Sequence, residues 1–285
     1  MQVVIPNIKR AMRLAGMRPL PGSSARASVD LRGKRILLTG ASSGIGAVAA
    51  QKLAATGATV IAVARREALL ADVVEQITAC GGNAVAMPAD LADLDQVDAL
   101  VNAVGPVDIL INNAARSIRR PLIESLDRWH DVERVMALNY YAPLRLMRGL
   151  APAMMERGDG HIINIATWRV LPESSPMFAA YNASKAALSA VSRVIDTEWG
   201  HAGVHSATIY YPLVATPMIA PTRAYDGIAA LTAEEAAGWM VTAAKTRPIR
   251  IAPRKVLALR ALDVVAPRTL NNVLERETIR MNARL

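Results

Sequence analysis

The sequence contains almost no cysteine, which narrows the class of protein at once. Cys80 is the single cysteine among 285 residues, so the chain cannot form an internal disulfide. Proteins without disulfides are typical of the reducing cytosol, whereas small secreted scaffolds usually depend on disulfides. We therefore predict a cytoplasmic protein. Cys80 precedes Gly81-Gly82 at the end of a predicted helix, where we expect it to be a small buried residue.

The sequence also lacks the patterns of metal-binding, membrane-spanning and nucleic-acid-binding proteins. The four histidines are scattered, and no histidine, cysteine or carboxylate cluster has metal-ligand spacing, so we predict no metal. No run reaches the ~20 apolar residues of a membrane span, and the N-terminal segment lacks the apolar stretch of a signal peptide. Aromatic residues make up only 4% of the chain. Without an interleaved aromatic platform, we predict no nucleic-acid partner.

Positive charge is concentrated at the two ends of the chain. Residues 1–35 contain eight basic residues against one acidic residue, and residues 245–285 contain ten against three. Because the net charge is +9, the region between them is mildly acidic, at about −5. Pro6 and Gly16 bound a short basic amphipathic helix. Three alternatives stay open for it: peripheral contact with an anionic membrane, a solvated tail, or a subunit contact.

Apolar segments alternate with helical segments along the chain. The strand candidates are residues 35–39, 59–64, 84–88, 107–112, 160–166, 204–211 and 249–252. Seven strands separated by helices predict an α/β fold with a doubly wound, Rossmann-type parallel sheet and right-handed crossovers. The length and the 52% apolar content suit a single domain. We place that domain at residues 31–252, between basic extensions at 1–30 and 253–285.

A glycine-rich turn joins the first predicted strand to a predicted helix. It reads Thr39-Gly40-Ala41-Ser42-Ser43-Gly44-Ile45-Gly46. A strand, a tight turn and a helix in this order direct backbone N–H groups and a helix N-terminus at a phosphate. Gly40 allows the sharp turn, Gly44 lets the backbone approach a pyrophosphate, and Gly46 lets the helix pack on the strand. The turn therefore predicts dinucleotide contacts at Gly40, Ser42, Ser43, Gly44, Ile45 and Gly46.

Tyr181 and Lys185 are four residues apart, which places them on one face of a helix with side-chain bases about 5–6 Å apart. A phenol normally holds its proton to a pKa of about 10, and a nearby ammonium favours the phenolate. We therefore expect Lys185 to lower the pKa of Tyr181. The tyrosine hydroxyl would then donate and accept protons near neutral pH.

Four motifs together resemble the short-chain dehydrogenases/reductases over residues 30–220. They are the glycine turn, Asn112-Asn113-Ala114-Ala115, Asn139 and the Tyr181/Lys185 pair. The resemblance implies that Tyr181 is the acid/base and that Lys185 holds the nicotinamide ribose while lowering the tyrosine pKa. It implies that Asn139 supports the lysine through a water. It also implies that the enzyme is a homodimer or homotetramer.

The serine that polarises the substrate carbonyl in this family has no direct counterpart here. The family reads Asn-Ile-Ser-Ser where this chain reads Asn164-Ile165-Ala166-Thr167, so we assign the corresponding hydroxyl to Thr167. Thr167 lies fourteen residues before Tyr181, one more than is usual in the family, which leaves Ser174 and Ser175 as alternatives. A threonine hydroxyl donates the same hydrogen bond, although its methyl group narrows the pocket.

The resemblance also implies which residues hold the coenzyme. Arg65-Arg66 follow the second predicted strand, where NAD-selective members carry an acidic residue. Two guanidinium groups suit a 2′-phosphate, so we predict NADP(H), with a solvated basic turn as the alternative. The other predicted coenzyme contacts are Asp90, Leu91, Asn112, Ala114, Tyr181, Lys185, Pro212, Leu213 and Thr216.

The predicted substrate pocket is apolar. Residues 216–245 correspond to the segment that covers the substrate in this family, and residues 217–226 are apolar apart from Arg223 and Asp226. The opposite wall is predicted from Val170, Leu171, Met177 and Phe178. Such a pocket suits a lipophilic substrate.

Within the superfamily, the stretch from Tyr211 through residues 221–226 to 247–252 is similar to the bacterial fatty acyl-CoA reductases. The similarity implies reduction of long-chain acyl thioesters to aldehydes with NADPH. Two alternatives stay open. One is a ketone or alcohol oxidoreductase acting on a 3-oxoacyl or steroid-like substrate. The other is an inactive coenzyme-binding scaffold.

Overall fold

The computed structural model describes residues 28–219, 225 and 228–282, and it contains the parallel seven-stranded sheet that the sequence predicts. The strands are β1 (Arg35–Thr39), β2 (Thr59–Ala64), β3 (Asn83–Pro88), β4 (Ile109–Asn112), β5 (Gly160–Thr167), β6 (Val204–Tyr211) and β7 (Arg250–Ile251). Their order in the sheet is β3-β2-β1-β4-β5-β6-β7, and every neighbouring pair is parallel. All seven predicted strands are confirmed.

Helices cover both faces of the sheet. They are α1 (Gly44–Ala54), α2 (Glu67–Ala79), α3 (Leu94–Ala103), α4 (Trp129–Met136), α5 (Ala142–Glu156), α6 (Ala179–Glu198), α7 (Ala233–Thr246), α8 (Arg254–Val265) and α9 (Pro267–Asn282). A π-helical turn over Ala137–Tyr141 joins α4 to α5. The predicted basic helix between Pro6 and Gly16 lies outside the described residues.

The strands are apolar along their whole length because both sheet faces are buried. In β1, Ile36 and Leu38 face the core formed with α1, α2 and α7. Leu37 between them faces the second core, formed with α3, α5 and α6. Alternate side chains thus pack against opposite helical layers. This explains why the strands are continuous apolar runs, whereas strands of a sheet with one solvent-exposed face alternate apolar and polar residues.

The strand order reverses its direction of growth between β1 and β4, which are neighbours in the sheet. From β1 the chain builds outward to β2 and β3, and from β4 it builds the other way to β7. The loops that leave β1 and β4 therefore diverge and open a crevice at the carboxyl ends of the strands, where ligands bind in open α/β sheets.

The structure bears on three further predictions made from the sequence. Cys80 is exposed, so the prediction that it is buried is wrong; it is the C-terminal cap of α2, beyond the face that packs on the sheet. The second half of the predicted cover at 216–245 is α7, whose Ala236 and Met240 are fully buried in the core. The predicted C-terminal extension contains α8 and α9. Within the described part of the chain, no helix is long and apolar enough to cross a membrane.

We predict that Gly46→Ala destabilises the protein severely. A Cβ at Gly46 would lie 2.0 Å from the Gly40 carbonyl oxygen, and both atoms belong to the tight junction of β1 with α1. Gly238→Ala is the matched control, because Gly238 lies inside α7 with nothing within 4 Å of a new Cβ. Alanine there should stabilise the helix by about 1 kcal/mol. Thermal unfolding should show a large fall in Tm for the first variant and a small rise for the second; equal shifts would contradict the steric argument.

Candidate active site

A cavity of about 1070 Å³ occupies the crevice at the carboxyl ends of the strands. Ligand sites usually measure about 300–1,000 Å³, so this one has room for a dinucleotide together with a second molecule. The predicted site residues that line it are Gly40, Ser42, Ser43, Gly44, Ile45, Gly46, Arg65, Arg66, Asp90, Leu91, Ala114, Thr167, Tyr181, Lys185, Pro212, Leu213 and Thr216. The fold thus brings seventeen of the nineteen predicted residues to one cavity.

The glycine turn forms the narrow end of the cavity and suits a pyrophosphate. Gly40 has a φ of +69°, and the missing Cβ of Gly46 lets α1 start directly against the end of β1. Ser43 occupies the N-cap of α1 without a side-chain hydrogen bond to the helix, and the first turn contains no acidic residue. The free N–H groups of that turn are therefore available to an anion, so the residues present fit the phosphates of a dinucleotide coenzyme.

Arg66 contacts this turn, whereas Arg65 pairs with Asp90. The Arg66 guanidinium donates to the Ser43 hydroxyl at 2.7 Å and to the Ser42 hydroxyl at 3.3 Å. Arg65 is 63% exposed and stands 3.7 Å from the Asp90 carboxylate. The two guanidinium groups and the uncapped helix thus make this end of the cavity strongly positive.

Lys185 and Tyr181 lie one turn apart on α6, as their spacing predicts. Lys185 is only 1% exposed, and its Nζ donates to the Ile165 carbonyl of β5 at 2.7 Å. Burial lowers the pKa of Lys185 to about 7 and raises the pKa of Tyr181 to about 12. In the coenzyme-free chain, desolvation of the Tyr181 phenol outweighs the attraction of Arg169, and the expected effect of Lys185 on the tyrosine pKa stays a prediction.

The cation that opposes this rise is Arg169, which sequence reasoning missed. Its guanidinium lowers the pKa of Tyr181 against the larger effect of burial. The Arg169 Cζ lies 5.3 Å from the centre of the Trp168 ring and 5.1 Å from that of Phe178, and such stacking holds a guanidinium in place. Arg169 lines the same cavity. The one indication in the sequence was its position two residues after Thr167, but no known spacing rule assigns a function to an arginine at that position.

Thr167 stands at the end of β5 beside the tyrosine, where the carbonyl-polarising hydroxyl is expected. It is 8% exposed, lines the cavity, and its Oγ1 accepts a long 3.4 Å hydrogen bond from the Arg169 backbone N–H. Ser174 and Ser175, the alternatives, are not among the residues that line this cavity. The geometry favours Thr167, whose catalytic role stays a proposal.

The two predicted site residues that do not line the cavity are both buried asparagines. Asn139 lies in the π-helical turn, accepts from the Arg116 N–H at 2.8 Å, and donates to the Arg116 carbonyl and the Ser184 hydroxyl. It can position α6 beside the β4 loop without touching a ligand. Asn112 is buried and donates to Asn164 at 2.9 Å, so it does not line the cavity, and its predicted coenzyme contact stays a prediction. Asn113, its neighbour on the opposite face of the strand end, lines the cavity instead.

The substrate end of the cavity is apolar but is built from residues other than those predicted. Phe178 lines it, whereas Val170, Leu171 and Met177 do not; Leu171 packs with Tyr210 and Val256 in a small core. Met218, Ile219 and Tyr225 line it as part of the predicted cover, and residues 220–224 and 226–227 lie outside the described residues. Sequence reasoning missed the contributions of α8 and α9, which are Lys255, Val256, Leu259, Leu270, Val273 and Leu274.

A dinucleotide cradle, a buried lysine and a tyrosine in one crevice define a nicotinamide-dependent oxidoreductase. Residues 34–227 match the short chain dehydrogenase family. The chain belongs to the short-chain dehydrogenases/reductases, as its motifs predict.

Relatives and solved structures agree with this assignment. The chain is 64% identical over 279 residues to a fatty acyl-CoA reductase of Mycobacterium tuberculosis, covering 94% of this chain and 95% of that protein. It is 45% identical over 249 residues to a fatty acyl-CoA reductase of Acinetobacter baylyi, covering 86% and 84% respectively. The structure of a metagenomic short-chain oxidoreductase in complex with NADP is similar, with a TM-score of 0.65 and 30% identity over 76% of this chain and 92% of that one.

We predict that Lys185→Met stabilises the coenzyme-free protein at neutral and acidic pH. The folded-state pKa of about 7 lies below the ordinary value of 10.5. Below pH 7 the lysine is charged in the folded and unfolded states, so the folded state carries the full cost of burying the charge. Above about pH 10.5 it is neutral in both states and that cost disappears.

The measurement is Tm at pH 6 and pH 10 for both proteins. The variant should gain most at pH 6 and little at pH 10. Lys52→Met is the control, since Lys52 is 40% exposed and pairs with Glu234 at 2.7 Å, and its effect should be small at both pH values. A Lys185→Met gain of equal size at both pH values would show that the buried charge is not its cause.

Proposed function

We propose that this enzyme is an NADPH-dependent reductase of fatty acyl-CoA thioesters that releases fatty aldehydes. The observation that carries the proposal is the polarity of the single cavity that Tyr181 lines. One end holds Arg65, Arg66 and the uncapped helix, and the other end is walled by apolar side chains of α8, α9 and residues 218–219. Identities of 64% and 45% to two fatty acyl-CoA reductases support the same substrate class.

The choice of NADPH over NADH rests on Arg66. Its guanidinium lies within hydrogen-bond distance of both serines of the turn, at the end of β2, where the adenosine ribose binds in dinucleotide folds. A 2′-phosphate there would gain charge-assisted hydrogen bonds from a planar guanidinium. The nearby Asp90 carboxylate, 3.7 Å from Arg65, holds the second arginine at the edge of the same pocket.

When bound, reduced nicotinamide would supply the hydride that takes the thioester carbonyl carbon to the oxidation level of an aldehyde. Tyr181 gives its hydroxyl proton to the carbonyl oxygen, and Thr167 donates a second hydrogen bond to that oxygen. Arg169 favours the resulting phenolate electrostatically. Lys185 fixes the geometry through Ile165, and its remaining N–H donors can hold the ribose hydroxyls.

Thioester reduction then requires a carbon–sulfur bond to break. The first reduction of an acyl thioester yields a hemithioacetal, and its collapse releases the aldehyde and the thiol of coenzyme A. Tyr181 can recover its proton from the hemithioacetal hydroxyl, and the departing thiolate takes one proton from solvent, so each cycle consumes one hydride and one proton. The apolar end of the cavity favours binding of the hydrocarbon chain, and the bound chain would exclude water from the reacting carbon.

We predict that Tyr181→Phe lowers kcat for NADPH-dependent reduction of hexadecanoyl-CoA by about 10²–10⁴-fold, the usual contribution of general acid catalysis. Thr167→Val should cost about 10²-fold by removing one donor to the oxyanion, and Thr167→Ser should retain most activity. Ser174→Ala is the matched control and should behave as wild type, because Ser174 does not line the cavity. A fully active Thr167→Val with an inactive Ser174→Ala would transfer the role to the serine.

The same assay separates the substrate classes. Wild-type enzyme should consume NADPH with hexadecanoyl-CoA and release the thiol of coenzyme A. A 3-oxoacyl thioester or a steroid ketone should be a poor substrate in comparison. Turnover of either ketone without thiol release would support the ketone reductase alternative, and no turnover with any of them would support the inactive scaffold.

We predict that Arg66→Ala raises the KM for NADPH at least about tenfold and leaves the KM for NADH nearly unchanged. A charge-assisted hydrogen bond contributes about 1.5–3 kcal/mol, and 1.4 kcal/mol is a factor of ten. Arg65→Ala should have a smaller effect, because Arg65 is 63% exposed and already faces Asp90. Arg145→Ala, which removes a surface ion pair with Asp98, is the control. Wild-type enzyme that uses NADH as well as NADPH would refute the coenzyme preference.

A further inference from the structure

The last two helices of the chain, α8 and α9, form one wall of the active-site cavity. They contact each other, and we call them the C-terminal helix pair. We propose that this pair binds the hydrocarbon tail of an acyl-CoA substrate and that Lys255, at its first turn, binds the anionic part of the same molecule. The inference deepens the proposed function and rests on it.

The wall is a stripe of apolar side chains at helical spacing. Val256 and Leu259 are three residues apart on α8, and Leu270, Val273 and Leu274 are three and four apart on α9, so each set lies on one helix face. All five side chains line the cavity. The opposite face of α9 is polar and exposed at Asn271, Asn272, Glu275 and Arg276. The pair therefore presents its apolar side to the site.

The stripe combines fixed and accessible positions. Val256 and Leu270 are 2% and 1% exposed, and Val256 packs with Ala166 and Tyr210 beside the end of β5. The wall is thereby attached to the strand that ends in Thr167. Val273, by contrast, is 45% exposed although it lines the cavity, so it can contact a ligand directly.

A second apolar surface faces the same cavity. Met218 and Ile228 line it while remaining 52% and 39% exposed. Large apolar side chains on two sides of one cavity leave hydrocarbon surface in contact with water, which an apolar ligand would cover favourably. Because the gain grows with each buried methylene group, the site should favour long chains over short ones.

Lys255 gives this end of the cavity a cation that suits an amphiphilic substrate. Its side chain is exposed and lines the cavity directly beside Val256, at the beginning of the apolar stripe. A steroid or a free ketone has no anionic group for this ammonium. An acyl-CoA combines a hydrocarbon tail with phosphate groups, which bind ammonium groups well. The pairing of cation and apolar stripe therefore matches an acyl thioester of coenzyme A.

The test measures binding of butanoyl-CoA and dodecanoyl-CoA in the presence of saturating NADP⁺, which cannot supply a hydride, and turnover of the same esters with NADPH. Calorimetry should show that the wild type binds dodecanoyl-CoA at least about tenfold more tightly than butanoyl-CoA, since a tenfold change in Kd corresponds to only about 1.4 kcal/mol. Both esters are used below their micelle-forming concentrations. Val273→Asp should remove this preference and leave butanoyl-CoA within about twofold of wild type, since Val273 is exposed enough to tolerate a charge.

Val265→Asp is the matched control. The same substitution lies on α8 at a valine that is 78% exposed and does not line the cavity, so the preference for the longer chain should survive. Leu259→Trp tests the other helix by filling the stripe, and it should penalise dodecanoyl-CoA selectively. Lys255→Glu should weaken binding of both esters equally, without changing their ratio.

The outcomes distinguish this inference from the proposed function. If Val273→Asp and Leu259→Trp keep the wild-type chain-length preference, or lose affinity for both esters equally, the helix pair is not the acyl wall. That result would leave acyl-CoA reduction by the wild type intact. If the wild type binds dodecanoyl-CoA preferentially but never reduces it, the proposed reaction fails while the binding wall stands.

Discussion

The hydrogen bond from Lys185 to the Ile165 carbonyl is the contact on which the active site depends. It fastens α6 to the carboxyl end of β5 at a distance of 2.7 Å, in a place that is almost free of solvent. Tyr181 is fixed one helical turn before this anchor, and Thr167 follows two residues after the anchored carbonyl. The relative position of the two hydroxyls that we propose to act on the carbonyl oxygen is therefore set by one buried contact.

The burial that fixes this geometry also disfavours the charged forms of Tyr181 and Lys185. Desolvation lowers the pKa of Lys185 and raises that of Tyr181, so both groups tend toward their neutral forms in the coenzyme-free chain. Arg169 acts against this at the tyrosine, and its guanidinium stays in place between two aromatic rings. A cation next to the phenol thereby favours the phenolate electrostatically.

The cavity joins two binding chemistries through the reacting centre. The crevice exists because the strand order reverses between β1 and β4, and the uncapped start of α1 makes its coenzyme end electropositive. The other end becomes apolar through elements far along the chain, since α8 packs against the ends of β5 and β6 and α9 lines the same cavity. A charged coenzyme in the electropositive end and a lipid-like substrate in the apolar end can thus both reach Tyr181.

The sequence by itself determined the sheet, the glycine turn and the Tyr181/Lys185 pair, because each depends on local spacing. Strands buried on both faces are uninterrupted apolar runs, and groups four residues apart on a helix must share a face. Tertiary structure decided what local spacing leaves open. Asn113 lines the cavity and Asn112 does not, Ser174 does not line it, and Arg169 lies close enough to Tyr181 to lower the pKa of the phenol. The C-terminal helix pair belongs to the site because long-range packing, unlike helical periodicity, selects which apolar face covers which cavity.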